Sequence, residues 1–175
     1  GMAHFVEHMA FNGTRRFPGH GISDYFELLG MRMGPHLNAY TSFDETVYSV
    51  ELPTDETNQI GTAFAALADW ASGVTFDPGE VDRERGVVIE ERRLRRDADG
   101  RNFDKHLPAL FPGSVYRDRS PIGTPECIRG ASAESLREFY TKWYRPDSMA
   151  VVVVGDVSAG EMERRIHETF EPLRA

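Results

Sequence analysis

The chain has 175 residues, 40% of them apolar and 11% aromatic, which describes one globular domain with a sizeable core rather than a disordered segment. Its net charge of -8 excludes a general nucleic-acid or anionic-membrane binder. The one cysteine, Cys127, excludes an internal disulfide and a thiolate-rich metal site. The longest apolar run, MAVVVV at 149–154, is far short of a membrane span.

In chain order, the first eleven residues, GMAHFVEHMAF, read as a helix. NGTRRFPGHG (12–21) is dense in turn residues and reads as loop, after which Ser23 caps a short helix that closes at Gly30. Residues 37–52, rich in Thr, Tyr and Val, predict two strands around a turn at Phe43-Asp44-Glu45. A long helix over roughly 55–72 follows, with Ile60, Phe64, Leu67 and Trp70 at helical spacing. Asp77-Pro78 starts another, running to about Arg96. NFDKHLPALFPG predicts a short helix broken by Pro108 and Pro112, and Ser132 opens a further one. SMAVVVVGD reads as a buried strand and SAGEMERRIHETF as a final amphipathic helix. Hairpin strands and helices out of strict βαβ order predict an α+β domain. No repeat, low-complexity tract or linker divides the chain, so residues 1–175 are expected to form a single domain.

The opening helix poses the chemical question. Its polar residues are His4, Glu7 and His8, and at 100° per residue Glu7 and His8 lie about 60° and 40° to either side of His4. One narrow face therefore carries two imidazoles and a carboxylate on an otherwise apolar helix. Burying them without partners costs several kcal/mol, so something must compensate. Histidines at i and i+4 are spaced to reach one metal ion, and zinc is the usual occupant. Imidazole and carboxylate without thiolate fit a catalytic site, which keeps one position for water. Glu7, beside His8, is placed to take a proton from that water. A third ligand is still needed.

The helix DPGEVDRERGVVIEERRLRRD offers one. Glu84 and Glu91, seven residues apart, fall about 20° from one another, flanked by Val81, Val87, Val88 and Leu94, while Glu90 turns to the charged face. Carboxylates within an apolar stripe call for a cationic or metal partner. A buried salt bridge to one of the nearby arginines is the competing account of this pair. The coincidence with the histidine pair favours metal.

HFVEH resembles the inverted zinc-peptidase motif HxxEH. With LNAYTSFDETVY, ERGVVIEE, PIGTPE and WYRPDSMAVVVVGD it resembles peptidase family M16, the group of pitrilysin, insulin-degrading enzyme and mitochondrial processing peptidase, and within it the bacterial zinc proteases. The likeness runs from residue 1 to about 172. It implies the metallohydrolase fold shared by LuxS and the processing peptidases, an antiparallel or mixed sheet covered by helices. It implies Zn2+ held by His4, His8 and Glu91, Glu7 as general base, and Glu84 as a supporting acid that orients the site. It also implies that Leu37, Asn38, Ala39 and Tyr40 form an edge strand on which an extended peptide is laid by backbone bonds. The implied reaction is hydrolysis of a peptide bond.

Two departures qualify the resemblance. Family domains place several strands before the HxxEH helix, whereas Gly1, Met2 and Ala3 alone precede His4, so the sequence reads as a domain truncated at its N-terminus. Family enzymes also close a similar second domain or subunit over the substrate, and no such half is present here. The alternative function is therefore an inactive M16-like module that binds peptides or partner subunits. Apolar surface left uncovered predicts self-association of the chain. The sequence opens on the helix rather than on a signal peptide, which leaves the compartment open between bacterial periplasm and cytoplasm.

Overall fold

The computed structural model describes residues 1–53 and 57–173. Helix α1, Met2–Ala10, lies at the centre of the fold. Around it are α2 (Gly21–Leu28), the hairpin β1 (Leu37–Thr41) and β2 (Thr46–Val50), α3 (Thr57–Ser72) and α4 (Pro78–Leu94). The chain continues through α5 (Ala98–Leu110), a 3-10 turn at Val115–Asp118, α6 (Pro125–Gly130), α7 (Ala133–Trp143), a second 3-10 turn at Pro146–Ser148 and α8 (Ala159–Phe170). This is the α+β architecture the sequence predicts, an antiparallel sheet covered by helices. Among the described residues the sheet is the single β1–β2 ladder, with Leu37 opposite Val50 and Thr41 opposite Thr46.

Helix α1 is central because its sequence is apolar on nearly every side. Phe5, Val6, Met9 and Ala10 are fully buried and pack against α4, α6, α7 and both strands. One cluster joins them to Phe26, Leu37, Trp70, Val88, Leu136 and Tyr140, so residues far apart in the chain share a core. The carbonyl of Ala10, at the C-terminal end of α1, accepts from Trp70 Nε1 at 3.0 Å. Beyond α1 the loop is tied down by Asp69, which accepts from Thr14 Oγ1, the Arg16 amide and Arg16 Nη1, each at 2.8 Å.

Helix α4 divides its charge between two neighbours. Its start is fixed by Asp77, whose side chain accepts from the amides of Gly79 and Glu80. Arg85 donates to the carbonyls of Ile128 and Ala131, and Arg92 donates to that of Gly123, which clamps the α6 region onto it. The carboxylates of Glu84 and Glu91 face α1 instead.

Several elements depart from the sequence reading. Ser23 lies inside α2, which begins at Gly21 after His20 rather than at a serine cap. The expected start of α3 near residue 55 lies outside the described residues. Helix α5 begins at Ala98, capped by Asp97, and carries Pro108 within it. That proline is near the C-terminal end, where its missing N–H forfeits one helical bond without ending the helix. Val87 and Leu94, expected beside the inward carboxylates, are exposed, and the buried apolar residues of α4 are Val81 and Val88. Residues 149–154 form no strand: exposure alternates along them, with Val152 at 78% and Val154 at 91%. The exposure alternates as along a strand, but among the described residues no neighbour pairs with the segment.

Candidate metal centre

The α1–α4 contact brings together four titratable groups of the helix faces, two imidazoles and two carboxylates. His8 Nδ1 lies 2.7 Å from Glu84 Oε1, and His8 Nε2 lies 3.0 Å from Glu91 Oε2. His4 Nε2 approaches the same Glu91 oxygen at 3.5 Å. The two imidazole rings meet edge to face with centroids 4.7 Å apart, as i and i+4 side chains on one helix face should. Glu90, one residue before Glu91, points outward and pairs with Arg93. The arginine account of the inward carboxylates holds for one oxygen: Glu91 Oε1 pairs with Arg95 Nη2 at 2.6 Å, leaving Oε2 to the histidines. Glu84 has no arginine partner among the described residues; beside it stand His8 and Asn12.

The two histidines are tuned in opposite directions. Burial, reinforced by the neighbouring His8, lowers His4 to about 4, so it is neutral near pH 7. Burial also works against a charge on His8, but the Glu84 hydrogen bond and the charges of Glu84, Glu91 and Glu7 outweigh it and raise its pKa. Burial raises Glu7 above the usual carboxylate range despite its hydrogen bond from Thr41. Two carboxylates on the two nitrogens of one imidazole mark a spot that favours positive charge.

Glu7 sits apart from this cluster and faces the hairpin. Thr41 Oγ1 donates to Glu7 Oε2 at 2.5 Å, and Thr46 Oγ1 lies 3.2 Å behind Thr41. In β1, Leu37, Ala39 and Thr41 turn inward, with Leu37 in the core, while Asn38 and Tyr40 are exposed. Ser42 N–H donates to Glu45 O and Glu51 N–H to His36 O. Antiparallel alternation then makes Tyr40/Val47 and Asn38/Ser49 the hydrogen-bonded pairs and turns the backbone of Ala39 and Thr41 to the open edge. On that edge the Ala39 N–H is bonded to the Asn38 side-chain oxygen at 3.0 Å. Tyr40 donates to Glu45.

Every site residue expected from the sequence is thus within the α1–α4–β1 region, but Leu37 has its side chain in the core and its backbone bonded to Arg32 O and Gly34 N–H of the preceding loop. Sequence reasoning missed Thr41, Arg95 and Asn12, whose side-chain amide donates to the His8 carbonyl. Arg95 is four residues beyond Glu91, and helical spacing alone makes that pair a candidate. Thr41 carries no such signal, since its contact with Glu7 spans 34 residues.

The donor set fits zinc. One ligand atom each from His4, His8 and Glu91 all lie within 4.8 Å of one another. Atoms around a tetrahedral zinc with bonds of about 2.1 Å sit roughly 3.4 Å apart, comparable to the 3.0 and 3.5 Å separations from Glu91 Oε2. His4 Nδ1 is buried without a hydrogen-bond partner among the described residues, so a group bound at Nε2 would be the one strong partner of that ring.

The family model for Insulinase (Peptidase family M16) matches residues 1–112 of this chain. The chain belongs to peptidase family M16. A second M16 model, that of the Peptidase M16 inactive domain, matches residues 130–175. The probable zinc protease PqqL of Escherichia coli is 42% identical over 175 residues, which is all of this chain and 19% of that protein. The mitochondrial-processing peptidase subunit beta of Blastocladiella emersonii is 32% identical over 99% of this chain and 36% of its own length. The crystal structure of the periplasmic protease PqqL from Escherichia coli superposes with a TM-score of 0.95 at 41% identity, covering 99% of this chain and 19% of that one. The M16 fold is shown by that agreement, and the chain spans about a fifth of the length of this relative.

Proposed function

We propose that this chain is the zinc-bearing part of an M16 metalloendopeptidase that hydrolyses peptide bonds of extended substrates, with residues 1–175 an incomplete N-terminal zinc-binding domain. The convergence of His4, His8 and Glu91, with Glu7 next to His8 on the same helix, carries this reading. His4 and His8 would hold Zn2+ from α1 and Glu91 from α4. Bound there, zinc supplies Lewis acidity, polarising a carbonyl and bringing the pKa of water towards about 7.

The chain's own residues do the rest. Glu84, on His8 Nδ1, fixes the ring so that Nε2 faces Glu91 and the ligand position. Glu7, raised by burial, accepts a proton from water at one carboxylate oxygen and delivers it to the leaving amine. The open edge of β1 accepts the peptide backbone at Ala39 and Thr41, with Asn38 and Tyr40 flanking it. Leu37 seats the strand in the core. A second M16 domain or subunit, part of the length that the relatives have and this chain does not, would cover the bound peptide. A periplasmic setting follows the description of the E. coli structure.

The test is metal content and turnover together. Stoichiometric zinc, lost in His8→Ala, and cleavage of an unfolded peptide pool that stops with chelator and with Glu7→Gln are expected of the protein containing this chain. No zinc after incubation with excess metal, or cleavage indifferent to Glu7→Gln, would overturn the reading. Zinc-free peptide binding without cleavage would instead support a module that only binds.

A further inference from the structure

The Glu7 carboxylate has one hydrogen-bond donor among the described residues, the hydroxyl of Thr41. Thr41 ends β1 and stands opposite Thr46, the first residue of β2. A hydroxyl has one proton to give. Thr41 gives its proton to Glu7 Oε2, so in the Thr41–Thr46 contact at 3.2 Å the donor must be Thr46. The direction of both bonds is thereby fixed. Deeper in the same place, the hydroxyls of Tyr48 and Tyr144 are 2.7 Å apart, and Tyr48 stacks on Trp70, whose Nε1 holds the end of α1. The layer under Thr41 and Thr46 is therefore tied by hydrogen bonds and stacking to the helix that carries Glu7. Thr41 is β-branched and so has few rotamers to choose from.

We infer that Thr41 is a positioning residue that orients the Glu7 carboxylate and couples it to the peptide-binding edge of β1. Its hydroxyl holds Glu7 Oε2, leaving Oε1 for water, while its backbone N–H faces the open edge where a substrate strand adds. One residue thus touches the base through its side chain and the peptide through its main chain. Docking of an extended peptide steadies Thr41 and, through it, the aim of the base. This assignment rests on the reading of Glu7 as general base, and it adds a residue that the sequence pattern does not mark.

The experiment compares Thr41→Val and Thr41→Ser in the full-length protein with zinc bound. Valine keeps the shape and strand preference of threonine and removes only the hydroxyl. We expect kcat to fall about tenfold to a hundredfold for Thr41→Val with KM and zinc stoichiometry unchanged, and Thr41→Ser to recover most of the loss. A crystal structure of the Thr41→Val protein should show the Glu7 carboxylate rotated from its Thr41-bound position. Should Thr41→Val not fold, Thr46→Val serves instead, with a smaller kcat loss expected because it removes the donor behind Thr41. An unchanged kcat, an equal loss in Thr41→Ser, or a Glu7 carboxylate that stays in place overturns the assignment. If the wild-type protein neither binds zinc nor cleaves peptide, the peptidase reading fails separately. The crystal structures then decide for Thr41: rotation of Glu7 upholds its positioning role and a fixed Glu7 ends it.

Discussion

The Nδ1 of His8 lies 2.7 Å from Glu84 Oε1, across 76 residues of chain, and this contact sets the ring so that its Nε2 meets Glu91. The α4 helix therefore meets α1 through two carboxylates, Glu91 beside the Nε2 atoms of His4 and His8 and Glu84 on His8 Nδ1. In the proposed zinc site a charged, hydrogen-bonded Glu84 would also make His8 a stronger donor to the metal.

Glu84→Gln keeps an acceptor near His8 Nδ1 but loses the charge, and zinc affinity should fall about tenfold. Glu84→Ala loses both and should cost up to about a hundredfold. Competition against a chromogenic chelator measures each. Equal affinity in all three proteins would mean that Glu84 serves packing alone.

Metal should also hold the fold. The described structure gathers Glu84, Glu91 and two imidazoles at the α1–α4 contact, the helix pair that carries much of the core. A ligand that binds only the folded state adds about 2.7 kcal/mol of stability at a hundred times its Kd. Zinc addition should therefore raise the melting temperature of the wild-type protein, and chelator should reverse it. His8→Ala should show no zinc-dependent shift in calorimetry, and a shift that persists in that variant would place the metal elsewhere.

Asp69 tests the scaffold independently of the metal. It is 1% exposed, and removing its carboxylate leaves the Thr14 hydroxyl and the Arg16 amide without their acceptor. Asp69→Ala should lower stability by about 2–3 kcal/mol in urea denaturation, since buried donors would lose their partner. Zinc stoichiometry should survive in the folded fraction, because His4 and His8 precede the loop that Asp69 ties down.

The legible parts of the sequence were those whose signal is local. Polar residues at helical spacing on an apolar helix mark His4, Glu7 and His8, and the seven-residue interval places Glu84 and Glu91 on one face of α4; the structure turns the two histidines toward these glutamates and Glu7 toward Thr41. Asp77 and Ser132 cap the helices they were expected to open, since capping depends on a few adjacent residues. Thr41 was invisible because its meaning is tertiary: a hydroxyl on a strand gains a role only when another element arrives beside it. Val151–Val154 failed in the opposite way. Four valines have the right propensity, but a strand exists through its neighbour, and propensity does not supply one.

That same segment predicts association. From residue 149 to 154 exposure alternates, Val152 and Val154 are exposed at 78% and 91%, and no ladder occupies the segment among the described residues. Unpaired amides and carbonyls beside apolar side chains are a template for another strand, and the most abundant strand in a solution of this chain is its own copy. The chain should therefore self-associate, with an apparent mass in light scattering that rises with concentration. Replacing Val152 and Val154 by lysine places charge on the exposed face and opposes edge pairing, so the double variant Val152→Lys, Val154→Lys should shift the population to monomer. Zinc binding should be unaffected, because the substituted side chains are exposed and the proposed ligands are on α1 and α4. A wild-type chain that stays monomeric at high concentration would sink this prediction. So would a double variant that associates as strongly as the wild type, since the contact would then run through another surface.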